Sequence, residues 1–338
     1  MSDAAGICMD PPLVSFVVMC YNTEAFVGEC IQSILNLEGG FSWEVVAIDD
    51  CSTDGTLGVL ESFSDPRIRI IRHPVNKGPQ EAATTALLAT RGIFVTRMDS
   101  DDRYRPDFLT RTLPVLHEHP SVGLVYGEAM MIDPDGKPLG LAETPGYGNG
   151  PWIGNLLITL LRRNIICNPT VIARRECFVS SMPVPSHMVL ADWYLTVSMA
   201  REWDFCFCDR VLADYRIHPG NYHSHIVATG AQERAIMWLL DKVFSTPETS
   251  PALELQKQRD RAAIIAENYW TLAAKYFGCG MFEEARRCYM QSARDPRYWV
   301  VPELYKRLLA IALGRPRYEA CKATLKAAVR QAGKGTRE

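Results

Sequence analysis

The sequence lacks a long hydrophobic run and has no strong excess of charge of either sign. Its longest apolar stretch, Trp152 to Leu161, falls far short of the ~20 residues that a membrane-spanning helix requires. The net charge is −3, from 36 basic and 39 acidic residues, so no strong electrostatic field favours a nucleic acid as partner. We therefore expect a chain that neither crosses a membrane nor binds nucleic acid.

The sequence also lacks cysteine pairs with zinc-ribbon spacing, and its first ten residues lack the cationic and apolar segments of a signal peptide. The eleven cysteines are scattered, and this odd count favours reduced thiols in the cytoplasm. A basic segment after Lys322 leaves open a peripheral contact with the inner face of the membrane, beside the simpler interpretation of a solvated terminus.

Strands and helices alternate regularly in the first 130 residues. Segments with helical spacing separate short β-branched runs at 14–20, 44–48, 68–71, 93–98 and 122–131. This alternation predicts an α/β fold with a mainly parallel sheet flanked by helices.

Less regular segments follow. Residues 133–150 are rich in Gly and Pro, which predicts a long loop or lid. After it we expect a helix over 152–163, a strand over 170–174, a helix starting near Asp192, and two strand pieces. Beyond Asn221 the pattern is wholly helical.

Acidic residues follow directly after two of the predicted strands. Asp49 and Asp50 follow one strand, and the run 99–102 (Asp-Ser-Asp-Asp) follows another. The carboxyl ends of parallel strands share one edge of a sheet, so both clusters should lie together there. Carboxylates in such a loop suit a hard divalent cation, although an acidic turn that caps the next helix explains either cluster alone equally well.

Four segments resemble, in order and in spacing, the motifs of family 2 glycosyltransferases with the GT-A fold. They are Val-Val-Met-Cys-Tyr-Asn at 17–22, Ile-Asp-Asp-Cys-Ser-Thr-Asp-Gly-Thr at 48–56, Asn-Lys-Gly at 76–78, and Met-Asp-Ser-Asp-Asp at 98–102. The resemblance implies an inverting enzyme that moves a sugar from a nucleotide-sugar to an acceptor hydroxyl. Among nucleotide-sugars, a UDP-sugar is the favoured donor. The resemblance further implies a divalent cation (Mn²⁺ or Mg²⁺), a glycan or lipid-linked acceptor, and a place in surface glycan or glycoconjugate assembly.

The resemblance also assigns roles to single residues. It implies a nucleotide-sugar site made of Tyr21, Asn22, Asp49, Asp50, Asn76, Lys77, Asp99 and Ser100. It implies a metal site at Asp101, Asp102 and His218, and a catalytic base at Asp192. Taken alone, Asp192 would more often cap a helix and His218 would more often lie in a surface loop.

The sequence departs from the family pattern at three places. Ala82, Ala83 and Thr84 stand where the family usually has Ala-Arg-Asn, so a basic contact from this helix is lost. Cys51 stands where Gly is usual, and Ala191 replaces the acidic neighbour of the catalytic Asp.

The helical end resembles a single tetratricopeptide-like helix pair. One such repeat cannot bury its own apolar face, so it packs on a neighbour or makes a homo-oligomer. We therefore expect a GT-A catalytic domain over 1–225, with a nucleotide-sugar half (13–132) and an acceptor half (133–225), and a helical region over 226–338.

Two other functions stay open from the residues. An inert GT-A domain used as a binding or scaffold protein is one, although the retained Asp101 and Asp192 disfavour it. A sugar nucleotidyltransferase is the other, but residues 19–24 lack the Gly-rich basic loop expected there.

Overall fold

A computed structural model of the chain describes residues 11–142, 151–218 and 223–314, and the structural statements below concern these residues. The chain divides into two compact units, Met1–Tyr222 and His223–Glu338. The predicted basic segment after Lys322 lies outside the described residues, as does the stretch 143–150 of the predicted lid.

The described residues of the first unit form one sheet and seven α-helices. The strands are β1 (Val14–Cys20), β2 (Trp43–Asp49), β3 (Ile68–Arg72), β4 (Phe94–Asp99), β5 (Arg103–Tyr104), β6 (Val122–Ile132), β7 (Pro138–Leu141), β8 (Trp152–Gly154), β9 (Ile172–Arg174) and β10 (Asp204–Arg216). The helices are α1 (Val27–Leu35), α2 (Thr56–Glu61), α3 (Pro79–Leu88), α4 (Phe108–Glu118), α5 (Leu157–Arg162), α6 (Arg175–Ser180) and α7 (Ala191–Ala200).

The sheet order is β3-β2-β1-β4-β9-β6-β10-β5, with β7 paired to β6 and β8 paired to β10. Strands β1 to β4 pair in parallel, and so do β6 and β10, whereas β9 runs antiparallel to its two neighbours. The predicted α/β sheet flanked by helices is therefore confirmed, as a mixed sheet.

The central strands β1 and β2 are buried on both faces. All seven residues of β2 are buried, and so are six of the seven in β1. This explains why both read as continuous apolar runs in the sequence. On one face Tyr104 packs edge-on against Phe16 and tilted against Phe108, with ring centroids 5.3 Å and 4.5 Å apart. Helix α1 adds Val27, Cys30, Ile31 and Ile34 to the same core.

Three predictions for the later segments are wrong. Residues 152–154 form strand β8 rather than a helix, because the Asn155 side chain accepts the Leu157 N–H at 2.9 Å and starts α5 only there. The start of the predicted lid is a hairpin, in which Asp133 accepts the Lys137 N–H at 2.8 Å and Gly136 takes a φ of +81°. The two pieces predicted over 204–216 are one strand, β10, with irregular register after Cys208.

The second unit is helical throughout its described residues, as predicted. Its α-helices are α8 (His223–Ala228), α9 (Ala231–Ser245), α10 (Pro251–Gly278), α11 (Phe282–Ser292) and α12 (Pro302–Leu313).

Helices α10 and α11 form the predicted helix pair. They are joined by a turn in which Gly280 takes a φ of +77°. Trp270 packs edge-on against Tyr289 at 5.2 Å. Glu233 accepts the Tyr276 hydroxyl and both terminal nitrogens of Arg287, which ties α9 to this pair. No helix in the described part of the chain is long and apolar enough to span a membrane.

Candidate active site

The two acidic clusters flank the carboxyl end of β1. In the register of the sheet Cys20 pairs with Asp49 on one side, and Met19 pairs with Asp99 on the other. The backbone continues this arrangement past the strands, since the Asp50 N–H donates to the Cys20 carbonyl. The clusters therefore lie on one edge of the sheet, as expected from the alternation of strands and helices.

A pair of left-handed residues shapes the loops at this edge. Asn22 has a φ of +53° and Cys51 a φ of +64°. The Asn22 side-chain oxygen accepts the Thr53 backbone N–H at 2.8 Å, and the Asn22 backbone N–H donates to the Ser52 hydroxyl at 3.0 Å. Asn tolerates this conformation, but at Cys51 the Cβ costs about 1–2 kcal/mol. The turn in which the family usually has Gly is thus kept here by a strained cysteine.

The contacts of Asp49 and Asp50 are with the protein itself. Asp49 is fully buried and accepts the Ser52 N–H at 3.1 Å. Asp50 accepts the Nδ1–H of His73 at 2.6 Å and the backbone N–H groups of Lys77 and Gly78 at 3.0 Å and 2.8 Å. Asp50 thereby fixes the Asn-Lys-Gly loop against the end of β2.

The other predicted nucleotide-binding side chains differ in exposure. Tyr21 is 49% exposed, and Asn76 and Lys77 are also exposed. Ser100 is buried, and its hydroxyl lies 2.8 Å from that of Thr23. The roles of these residues toward a nucleotide stay predictions, but Tyr21 presents an open ring beside the acidic edge.

Asp99 lies among like charges. The pKa of Asp99 is raised to about 6, first by desolvation and then by the charges of Asp101 and Asp192, while Arg97 opposes the increase. The side chain is nevertheless 45% exposed. A cation that reached this exposed carboxylate would reverse the shift, because its positive charge stabilises the ionised form. Asp101 and Asp192 are therefore close enough to Asp99 for their charges to act on it.

Asp101 and His218 meet directly. The His218 Nε2 lies 2.9 Å from Asp101 Oδ2, and the two side chains are 17% and 14% exposed. This is the length of a hydrogen bond between the two side chains, and it is also the ~3 Å that separates adjacent ligands of an octahedral ion with bonds of about 2.1 Å, so the same two atoms could take up a divalent cation. Carboxylate oxygen and imidazole nitrogen are both suitable ligands for Mn²⁺.

Asp102 is placed less favourably for binding a metal. It is 1% exposed, and its Oδ1 accepts the Arg216 N–H at 2.8 Å, while Oδ2 has no hydrogen-bond partner in the described residues. Burial and the charges of Asp101 and Asp99 raise the pKa of Asp102 well above its usual range. No group of three or more His, Cys, Asp or Glu residues in the described chain could by itself hold a metal ion. Further ligands at Asp101 and His218 would therefore come from phosphate and water.

Arg216, which was assigned no role from the sequence, holds the acidic loop in place. Its side chain is fully buried. Nε donates to the Asp101 carbonyl at 2.8 Å, and one terminal nitrogen donates to the Pro134 carbonyl at 2.8 Å and to the Asp133 carbonyl at 3.3 Å. The other donates to the Glu29 carboxylate at 2.8 Å. The only signal in the sequence is its place two residues before His218.

Asp192 lies in the first turn of α7, and it lines a cavity with Arg97, Asn168 and Thr196. Its Oδ2 accepts the Asn164 side-chain N–H at 3.1 Å. Asn164 therefore orients the predicted base, and no pattern in the sequence pointed to it. The fold brings Asp192 near enough to Asp99 for its charge to act on that carboxylate, although the two lie 93 positions apart in the chain.

Comparison with known proteins gives matches in the first unit. Residues 15–178 match the sequence profile of Glycosyl transferase family 2. A segment of 130 residues is 33% identical to TuaG of Bacillus subtilis (strain 168), which is named for a glycosyltransferase of teichuronic acid biosynthesis. This segment covers 38% of the present chain and 51% of TuaG, so the match spans about half the length of that relative.

Two solved structures resemble the chain over most of its length. Residues 1–349 of S. aureus TarS in complex with UDP-GlcNAc superpose with a TM-score of 0.56 at 19% identity, covering 87% of this chain and 91% of that one. The mannosyltransferase PcManGT of Pyrobaculum calidifontis, in complex with GDP-Man and Mn²⁺, gives a TM-score of 0.55 at 17% identity, covering 90% and 87%. These likenesses confirm the predicted GT-A type of fold.

Proposed function

We propose that this chain, which through residues 15–178 belongs to Glycosyl transferase family 2, transfers a sugar from a nucleoside-diphosphate sugar to an acceptor hydroxyl. The observation that carries the proposal is that Asp101, on the sheet edge at the carboxyl end of β4, lies 2.9 Å from His218, while the charges of Asp101 and Asp192 both act on Asp99. Ligands of open α/β sheets bind at this edge.

In this proposal Asp192 is the catalytic base. A sugar hydroxyl is a poor nucleophile at neutral pH, and a carboxylate within hydrogen-bond reach takes its proton as the new bond forms. Asn164 holds one oxygen of Asp192, which leaves the other for the acceptor. The acceptor oxygen, as it loses its proton to this base, attacks the anomeric carbon opposite the leaving group; the bond to the nucleoside diphosphate breaks in the same displacement, so the anomeric centre inverts.

Asp101 and His218 would hold a divalent cation, Mn²⁺ or Mg²⁺. The ion would stabilise the negative charge that develops on the departing diphosphate. Their 2.9 Å separation supports this role, and so does the presence of Mn²⁺ in the complex of PcManGT. Asp102 and Arg216 support this loop in the proposal, because Asp102 accepts the Arg216 N–H and Arg216 donates to the Asp101 carbonyl, so Asp102 is not a direct ligand of the ion.

The nucleotide would lie across the ends of β1, β2 and β4. Tyr21 would stack on the base, Asp49 and Asp50 would shape the base site, and Asp99 would bind the ribose. Asn22, Asn76, Lys77 and Ser100 complete this half of the site. A UDP-sugar is the donor we favour, because the TarS complex holds UDP-GlcNAc on a similar fold.

We place the nucleotide-sugar half at 13–132 and the acceptor half at 133–225.

The name of TuaG supports a role in surface glycan or glycoconjugate assembly, with a glycan or lipid-linked acceptor. The nine cysteines in the described part of the chain are all free, which favours a reducing compartment such as the cytoplasm, at or near the membrane. The helical region would serve homo-oligomer contacts.

A panel of nucleotide-sugars with Mn²⁺, with Mg²⁺ and with chelator would test the proposal. We expect one donor to raise the melting temperature and to be hydrolysed slowly, with both effects lost on chelation. Asp192→Asn should retain donor binding and lose at least about 10²-fold in turnover, since general-base catalysis contributes 10²–10⁴-fold.

The matched control is Asp107→Asn, which removes a partly exposed carboxylate paired with Arg111. It should behave as the wild type in every assay. A protein that binds no donor with metal present would instead favour the inert scaffold, and release of a nucleoside triphosphate from a sugar nucleotide and pyrophosphate would favour a nucleotidyltransferase.

A further inference from the structure

The start of α1 contacts the end of β10 through a single aromatic ring. Phe26 stands directly before α1, and the centroid of its ring lies 5.2 Å from that of the His218 imidazole, with the two planes inclined by 37°. The Cζ of Arg216 lies 4.8 Å from the same phenyl centroid, which is within the range of a cation–π contact. Phe26 therefore packs both on a proposed metal ligand and on the buried cation that supports the acidic loop.

Two further contacts tie this turn of the chain to its surroundings. The Phe26 N–H donates to the Thr23 carbonyl at 2.9 Å, and the Thr23 hydroxyl lies 2.8 Å from that of Ser100 in the acidic loop. Three positions after Phe26, Glu29 accepts a terminal N–H of Arg216 at 2.8 Å. Residues three apart lie on one face of a helix, so the same face presents the phenyl ring and holds the guanidinium. The backbone that carries the ring is thus fixed against the loop that carries the proposed metal ligand.

The contact between His218 and Asp101 cannot by itself hold the imidazole for a cation. Nε2 lies 2.9 Å from Asp101 Oδ2, and a hydrogen atom shared between them must leave when both atoms bind one ion. An imidazole free to turn about its side-chain bonds would have to be ordered by the ion, and this ordering weakens binding. A packing contact between two rings needs no hydrogen atom on Nε2, so the contact with Phe26 persists through this exchange.

We propose that Phe26 is a positioning residue, whose ring holds the His218 imidazole in the orientation that a divalent cation shared with Asp101 requires. In this role Phe26 acts through His218 rather than by binding the ion. This inference rests on the proposed function, since it concerns the metal site of that function.

Binding of Mn²⁺ to the protein saturated with UDP measures the effect. The free ion is followed by electron paramagnetic resonance, and a titration of UDP alone gives the correction for Mn²⁺ held by the nucleotide in solution. Phe26→Leu removes the flat ring and keeps an apolar side chain, so we expect it to weaken Mn²⁺ binding about three- to tenfold, the range that one aromatic pair contributes. Phe26→Tyr keeps the ring and should stay within about twofold of the wild type. The affinity for UDP with chelator present should stay within about twofold in both variants.

The order of the imidazole is measured separately, on the metal-free protein. Relaxation of isotope-labelled histidine ring carbons gives the order parameter of His218, whose signal is identified by its loss in His218→Ala. We expect this order parameter to fall in Phe26→Leu and to be retained in Phe26→Tyr. The matched control is Phe63→Leu, which removes a partly buried phenyl ring packed on the core just after α2. It should change neither the Mn²⁺ affinity nor the order of His218.

Three results would overturn the inference. They are an unchanged Mn²⁺ affinity in Phe26→Leu, an unchanged order parameter of His218 in that variant, and a loss of Mn²⁺ affinity of the same size in Phe63→Leu. If Phe26→Leu does not fold, Phe26→Met, which keeps more of the side-chain volume, is held to the same criteria. Each of these results leaves the proposed function intact. A wild-type protein that binds no Mn²⁺ in the presence of any nucleotide would instead refute the metal site of the proposed function, and this inference with it.

Discussion

Replacement of Arg216 by lysine tests how the acidic loop is held. The Arg216 side chain is fully buried and spans three backbone carbonyls, those of Asp101, Asp133 and Pro134, and the Glu29 carboxylate. Lysine keeps the positive charge but concentrates its donors on one nitrogen. We expect Arg216→Lys to destabilise the first unit and to weaken metal-dependent donor binding, because the Asp101 backbone loses its support.

The magnitude follows from the contacts. One ammonium reaches about two of the four acceptors, so about two acceptors lose their partner at a cost of about 1–3 kcal/mol each. The expected loss is thus about 2–6 kcal/mol, which is a large part of the ~5–15 kcal/mol typical of a folded protein. The Glu29 end of the network contributes little, since that side chain is 51% exposed and a surface pair gives about 0–1 kcal/mol.

Urea denaturation followed by tryptophan fluorescence measures this loss, with the transition of the first unit fitted by itself because a chain of two units need not unfold in one step. Glu29→Gln is the matched variant and should cost less than about 1 kcal/mol. A loss below about 1 kcal/mol in Arg216→Lys, or an equal loss in Glu29→Gln, would refute the assignment of Arg216 as the support of the loop.

Three further predictions concern the turn, the metal pair and a buried acid. Cys51→Gly should raise stability by about 1 kcal/mol by relieving the left-handed strain, and calorimetry should show no such gain for Cys51→Ala. Asp101→Ala and His218→Ala should each abolish the Mn²⁺-dependent rise in melting temperature with UDP; an unchanged rise in both would move the metal site elsewhere. Burial raises the pKa of Glu44, but hydrogen bonds from Ser15 and Arg91 outweigh it and lower the pKa overall. Its stabilisation is therefore present above the unfolded pKa of about 4.3 and is lost as the pH falls through the lower folded pKa, so the stability gap between wild type and Glu44→Gln, measured in urea, should shrink at acidic pH. A gap that stays constant down to pH 3 would contradict this role of Glu44.

The sheet could be predicted because its central strands are buried on both faces. Strands such as β2, with every residue buried, leave a continuous apolar run in the sequence that no neighbouring segment imitates. The short edge elements carry no such run. Strand β8 has only three residues, and Trp152 and Ile153 serve a helix equally well until Asn155 interrupts it. Its pairing with β10, some 50 residues away, decides its structure.

From the alternation of strands and helices alone, the place of a site residue could be predicted only where that residue follows a strand directly. Asp49 and Asp99 do so, and the register of β1 then brings them together. The supporting residues follow a different logic. Arg216 reaches an acidic loop more than 100 residues earlier in the chain, and Asn164 reaches a base 28 residues later. Contacts between residues so far apart in the chain leave no local sequence pattern, because the residues next to each partner do not differ from those of other segments.

The structure, rather than the sequence, explains one departure from the family pattern, the small residue at Ala83. The missing basic residue at Ala83 suggested a weaker hold on the nucleotide, yet Ala83 lines a cavity that already contains the guanidinium of Arg97. An arginine at Ala83 would place a second cation in the same apolar space, where like charges repel with little screening. A small neutral residue at position 83 therefore suits the presence of Arg97 on β4, whereas a cation at position 83 does not. Ala83→Arg should accordingly reduce stability or displace Arg97, and combining it with Arg97→Gln should recover the loss.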